Sequence, residues 1–404
     1  TRPRWAILTG VAFGFALSTK HNSWVLPGIY AIHFVWMAWN ERSFRKQNPG
    51  LPPRISLWPR WLFAMLTVGP ALFVASWPWL WHDTLARFSQ YAGFHLHHEY
   101  YNMEFLGRNY FKAPSPPLYA PVMIATTVPT ITLVLFAVGL FERGRSFVSL
   151  VRARLRERAP QPDWAWRAVQ DDALVVAALL VPLAVFFLPA TPIFGGTKHW
   201  FPAYPFLAIL AGRGFALARA RLYPLVRARA PRIPAGAFAG ALGLLLLAAP
   251  FAATAHSHPF GLSAYVPLAG GTRGGASLGL NRQFWGFTTQ SLEPFLEREA
   301  RPGERIFIHD TTWGAFSRMQ QEKRIRADLS GVGGPTDGDL AIVHHELHMA
   351  EADTNLQTAF GPNPVYVLTH DGVPIRTTIR SSNSSAGRVP VRFAIHLNGY
   401  ENCC

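Results

Sequence analysis

The side chains that could do chemistry fall into three groups. Lys20, in Thr19-Lys20-His21-Asn22, and Lys198, in Gly195-Gly196-Thr197-Lys198-His199-Trp200, each stand in a short connection between two apolar runs. An ammonium held there, beside a headgroup layer, could clamp an anionic headgroup such as a lipid phosphate. The same placement also serves plain snorkelling, with the stem on apolar surface and the charge in water. The second group is the 38-residue segment Leu80–Pro117, which holds His95, His97, His98, Glu99 and Glu104. On a helix, His95, His98 and Glu99 lie at i, i+3 and i+4 and share a face. Two imidazoles and a carboxylate so placed could bind a divalent metal, whereas an interfacial polar loop needs none. The third group is HHELHM, His344–Met349. A zinc-protease motif requires a second His where Met349 stands, so His345, Glu346 and His348 read as ordinary residues of a strand-to-helix connection. GGTRGG at Gly270–Gly275 is not a dinucleotide fingerprint, and Asp171-Asp172 reads as the boundary of an apolar run.

The elements that must position these groups are mostly apolar. Half of the 404 residues are hydrophobic and 15% are charged, which excludes a disordered chain. The only cysteines are Cys403 and Cys404, so there is no disulfide framework and no CxxC zinc pattern. Uncharged runs recur at Trp5–Ser18, Ser23–Trp39, Trp61–Trp79, Leu118–Phe141, Ala173–Ala190, Trp200–Gly212 and Ala235–Ala253. Most approach the length that crosses the hydrocarbon layer at the helical rise per residue. Seven spans with the N-terminus inside put 20 Lys and Arg in inside segments. The outside segments between spans hold five: Lys20, Arg87, Arg108, Lys112 and Lys198. That bias is what the positive-inside rule asks of a membrane protein. The basic runs abut spans and lack interleaved aromatics, so they read as orientation signals and lipid contacts rather than as a nucleic-acid surface. Trp36, Trp39, Trp77, Trp79 and Trp81 stand at run ends, as in an aromatic belt, with core packing the alternative.

After Ala253 the composition changes. Residues 254–404 hold 13 Lys/Arg and 14 Asp/Glu and contain no further apolar run of spanning length. Thr289–Ala300 reads as a helix, with Ser291 placed to cap it and Pro294 in its first turn. Arg305–His309, Leu340–His344 and Val365–Leu368 read as short strands. The fold expected is therefore a membrane all-α multi-span bundle over 1–253, a small α/β domain outside the membrane over 254–380, and a loose tail over 381–404.

Four segments together resemble a known family. GVAFGFALSTKHNSWVLP, FLGRNYFKAPSPPLYAPVMIATTVPTITLVLFAVG, GGTKHWFPAYPFLAILAGRG, and PFGLSAYVPLAGGTRGGASLGLNRQFWG followed by PGERIFIHD occur in that order. They are similar to stretches of membrane glycosyltransferases that use polyprenyl- or dolichyl-phosphate sugars. These have the C-type fold of protein O-mannosyltransferases and lipid A aminoarabinose transferases. The resemblance implies transfer of a sugar from a polyprenyl-phosphate donor to an acceptor hydroxyl on a protein, lipid or glycan. It places this at the outer face of a bacterial cytoplasmic (inner) membrane, with the C-terminal domain periplasmic. It carries donor-phosphate binding onto Lys20 and Lys198, with their neighbours His21 and His199, and onto Arg108. It implies a divalent metal in some members. The family's catalytic base is an Asp in the first outside loop, expected upstream of Thr1, so the chain by itself is expected to be inactive. The competing class is a transporter or flippase-like protein for lipid-linked glycans, which should show internal repeats and intramembrane ionisable residues; neither is evident.

Overall fold

The computed structural model describes residues 3–47, 49–50, 52, 55–56, 58–97, 100, 102–155, 163–193, 195–308, 310–334, 337–381 and 392–395. The apolar runs are helical, because a backbone surrounded by apolar side chains must satisfy its own N–H and C=O groups. They form α1 (Pro3–Thr19), α2 (Val25–Gln47), α3 (Arg60–Ser76), α5 (Tyr119–Thr127), α6 (Thr130–Leu155), α7 (Asp163–Ala184), α8 (Tyr204–Arg229) and α9 (Ala235–Ser257). A further helix, α4 (Thr84–Leu96), lies in the long segment after α3.

Among the described residues three stretches, Gln170–Phe187, Phe201–Arg229 and Ala235–Ser257, are long and apolar enough to cross a membrane, which suggests a membrane protein. One of the seven expected runs is bent. The run Leu118–Phe141 is not one helix: α5 and α6 meet at a 117° bend and make a fourth span only if counted together. Pro129 explains the break. It lacks an N–H and pushes the preceding residue out of the helical region, and Val128 is extended, with φ −79° and ψ 133°. α1 and α3 are 17 residues each, and the last two turns of α2 carry Asn40, Glu41, Arg42, Arg45 and Lys46.

Small residues let the helices touch. A Cβ on Gly139 of α6 would fall 2.0 Å from the Leu210 carbonyl of α8, and one on Gly214 would fall 2.0 Å from the Leu135 carbonyl. Such backbone approach is how helices pack where lipid removes the hydrophobic drive between them. Ion pairs join α6 to both α7 and α8. The Arg143 Nε donates to both Asp172 oxygens at 2.8 Å, and the Arg213 Nε and Nη2 donate to Glu142 at 2.8 and 2.9 Å. Asp172 thus does more than mark a boundary, since it ties α7 to α6.

The C-terminal half is a six-stranded sheet of order β4-β3-β5-β7-β6-β8. Its strands are β3 (Arg305–Phe307), β4 (Ser330–Val332), β5 (Leu340–Val343), β6 (Pro364–His370), β7 (Val373–Arg380) and β8 (Arg392–Ile395). β3 runs parallel to β4 and β5, β7 is antiparallel to β5 and β6, and β8 is parallel to β6. Strand alternation builds two cores. Ile306, Ile308, Leu340 and Ile342 pack with Phe295 and Leu296 of α11 (Glu293–Glu299) and Phe316 and Met319 of α12 (Asp310–Gln321). Phe307, Ala341 and Val343 pack with Leu356 and Phe360 of α13 (Ala350–Phe360).

Three expectations change in this half. Ser291 is not a cap: it lies in a 3-10 turn, Phe287–Leu292, and α11 starts at Glu293 with no side-chain cap. Pro294 is in the first turn, as expected. Strand β7 was not expected, and part of the stretch read as a loose tail, Arg392–Ile395, is strand β8.

Candidate functional site

Two short connections meet at one end of the helices. After α1 the chain turns through a 3-10 segment, His21–Trp24, and before α8 through another, Gly196–His199. The Lys20 ammonium donates to the Lys198 carbonyl at 2.7 Å, and the Asn22 amide donates to the His199 carbonyl at 2.6 Å. The Lys198 ammonium stands over the Trp285 ring, 4.6 Å from its centre. Gly195 makes this approach feasible. Its φ is +70°, and a Cβ there would lie 1.9 Å from the Trp285 ring. Both lysines are half-buried. Burial lowers the pKa of each, and for Lys198 the charge of Lys20 lowers it further. The two charges thus stand near enough to repel in a partly dry place, where an anion would be bound more strongly than in water.

The long segment after α4 places its carboxylate elsewhere. Strands β1 (Met103–Phe105) and β2 (Arg108–Tyr110) form a hairpin through Leu106 and Gly107, both at positive φ. The Gly107 N–H donates to the Gly279 carbonyl at 2.9 Å. Met103 and Phe105 are buried in a cluster with Tyr119, Ile193, Trp200 and Tyr265. Glu104 lies between them and, by strand alternation, points the other way. It is 5% exposed. Its Oε1 accepts from the His348 N–H at 3.1 Å and lies 3.3 Å from the His348 Nδ1. The Glu346 Oε2 lies 3.4 Å from the same nitrogen, and Glu346 is 7% exposed. The ligand atoms of Glu104, Glu346 and His348 all lie within 4.8 Å of one another. Asp353 of α13 faces His348, and burial raises its pKa to about 6.

Behind Glu346 lies a buried polar network. Arg376 of β7 is fully buried. Its Nε donates to the Thr288 hydroxyl at 2.8 Å, its Nη2 to the Gln283 Oε1 at 3.2 Å, and its Nη1 meets the His344 Nε2 at 3.0 Å. Burial lowers the Arg376 pKa to about 9, with the Glu346 charge opposing. His345, at φ 58°, bonds the Thr377 hydroxyl at 2.6 Å. Burial and then the charges of Arg282 and Arg376 lower its pKa to about 4.

Not every expected residue joins a site. Lys20, Lys198 and the His199 backbone come together. His21 lies in the same turn as Asn22. Arg108 is exposed on the hairpin, opposite Phe105. Of the expected metal face, His95 lies on α4, which ends at Leu96. His98 and Glu99 lie outside the described residues, and the His95 ring packs on Tyr91 and Trp24 at 4.6 and 6.3 Å. Glu346 and His348, read as ordinary domain residues, instead meet Glu104. The local signal for this was a lone carboxylate between two large apolar residues, Met103-Glu104-Phe105, in a strand. No protein-family model, curated protein or solved structure matches the chain.

Proposed function

We propose that this chain is a membrane glycosyltransferase that moves a sugar from a polyprenyl-phosphate donor to an acceptor hydroxyl outside a bacterial cytoplasmic membrane. The observation that carries the reading is the Lys20–Lys198 pair, held at the meeting of two helix connections beside Trp285. In such a transfer the acceptor oxygen bonds to the sugar's anomeric carbon as the bond from that carbon to the phosphate oxygen breaks. The phosphate changes from a singly charged diester to a more negative monoester. Two ammoniums fixed there bind the donor, and they bind the transition state more tightly, because charge builds on the oxygens they face. The acceptor's proton passes to a base.

Membranes carrying the full-length protein and a labelled polyprenyl-phosphate sugar test this directly. The expected result is label in an acceptor, with polyprenyl phosphate released. Lys20→Ala and Lys198→Ala are each expected to weaken donor dependence by about 10–100-fold, the worth of one charge-assisted hydrogen bond. Movement of intact donor across the membrane without cleavage would replace this reading with a flippase, and unchanged donor dependence in both variants would remove the clamp.

A further inference from the structure

We infer that Glu104, Glu346 and His348 form a zinc site that pins the β1–β2 hairpin of the helical half to the sheet domain. The three side chains come from sequence positions 104, 346 and 348, so only the folded chain assembles them. The spacing leaves room for a metal ion among the three ligand atoms, which lie within 4.8 Å of one another. The His348 Nδ1 stands 3.3 Å from one carboxylate oxygen and 3.4 Å from another. A charge-assisted hydrogen bond draws such atoms to about 2.7–2.9 Å. Zinc bound at about 2.0–2.1 Å in tetrahedral geometry sets neighbouring ligand atoms roughly 3.3–3.4 Å apart.

The charges agree with the spacing. Both carboxylates are more than nine-tenths buried. Two buried carboxylates on one imidazole demand positive charge, and a divalent ion supplies it. Arg376 supplies positive charge on the Glu346 side. Two oxygens and one imidazole nitrogen suit zinc better than they suit calcium or magnesium, which take oxygen-rich shells. The His348 N–H bond to the Glu104 Oε1 is the kind of outer hydrogen bond that holds a ligating carboxylate in place. Three protein ligands leave the fourth position for water or for an oxygen of a bound molecule.

The site is independent of the donor clamp, so its test does not use transfer activity. The full chain, with Cys403→Ser and Cys404→Ser to remove the tail thiols, is purified in detergent, stripped with chelator and titrated with zinc. One high-affinity zinc per chain is expected, with an X-ray absorption shell of nitrogen and oxygen at about 2.0 Å. His348→Gln, Glu104→Gln and Glu346→Gln should each weaken binding at least tenfold, while Glu351→Gln on the exposed face of α13 should not. His348→Gln is the variant least disturbing to packing, and its melting temperature in chelator should match that of the parent protein. Zinc should raise the melting temperature of the parent protein and leave that of His348→Gln unmoved. Binding that is equal in the parent protein and all three variants, or the absence of stoichiometric binding, would overturn the site.

Discussion

Arg376 shows how much one buried side chain can organise. It is 0% exposed and binds Thr288, Gln283 and His344, residues from two different parts of the chain. Its guanidinium reaches three partners at fixed angles, which an ammonium cannot do. Arg376→Ala takes the guanidinium donor from the Thr288 oxygen and the His344 Nε2, at about 1–3 kcal/mol each, while the Gln283 Oε1 keeps the Thr288 hydroxyl. We expect the sheet domain to lose about 3 kcal/mol or more, seen as a lower denaturant midpoint, and Arg376→Lys to recover only part of it. Unchanged stability in Arg376→Ala would show that the network is replaced by water. None of this was legible in the sequence. Arg376 sits in strand β7, Val373–Arg380, and its partners are set by tertiary folding. The Asp371-Gly372 pair beside it is a local hairpin-turn signal, joining β6 to β7.

At the scale of elements, the helical runs were legible because apolar length is a local property. Their boundaries were less so. The break at Pro129 was written in the sequence, yet the apolar run passes through it uninterrupted, and composition alone hides a bend of 117°. Helix packing, by contrast, depends on which glycines face a neighbour, and only the fold shows that. Gly139 and Gly214 bring α6 and α8 into backbone contact, with no room for a Cβ. Gly214→Val should push these helices apart and lower the melting temperature of the detergent-solubilised protein by several degrees. Gly212→Val, whose Cβ meets nothing within 4 Å, should change it far less. Equal effects at both positions would show that helix propensity, not packing, is being measured.

At the scale of the whole molecule, the sequence's charge asymmetry becomes a spatial one. The sheet domain sits at the end of α9. The His256 Nε2, in its last turn, lies 2.7 Å from the Asp371 Oδ1 at the tip of the β6–β7 hairpin, and Thr272 and Arg273 of α10 (Gly271–Ser277) also bond Asp371. Loop contacts continue across this end, since the Val266 N–H donates to the Thr126 carbonyl beside the α5–α6 bend. α9 returns from α8, so the C-terminal end of α8 lies at the opposite end, with Arg219, Arg221, Arg227 and Arg229. If α8 and α9 both cross the membrane, the arginine-rich end belongs on the cytoplasmic side and the sheet domain outside. A membrane-impermeant maleimide reads this directly in spheroplasts, after Cys403→Ser and Cys404→Ser remove the native thiols. Arg318→Cys, on a side chain 70% exposed in α12, should be modified at once. Arg227→Cys, also exposed, should react only after permeabilisation. Reaction at both positions in sealed cells would mean that α8 and α9 do not cross. The reverse pattern would place the sheet domain in the cytoplasm and take the lysine pair away from an external donor.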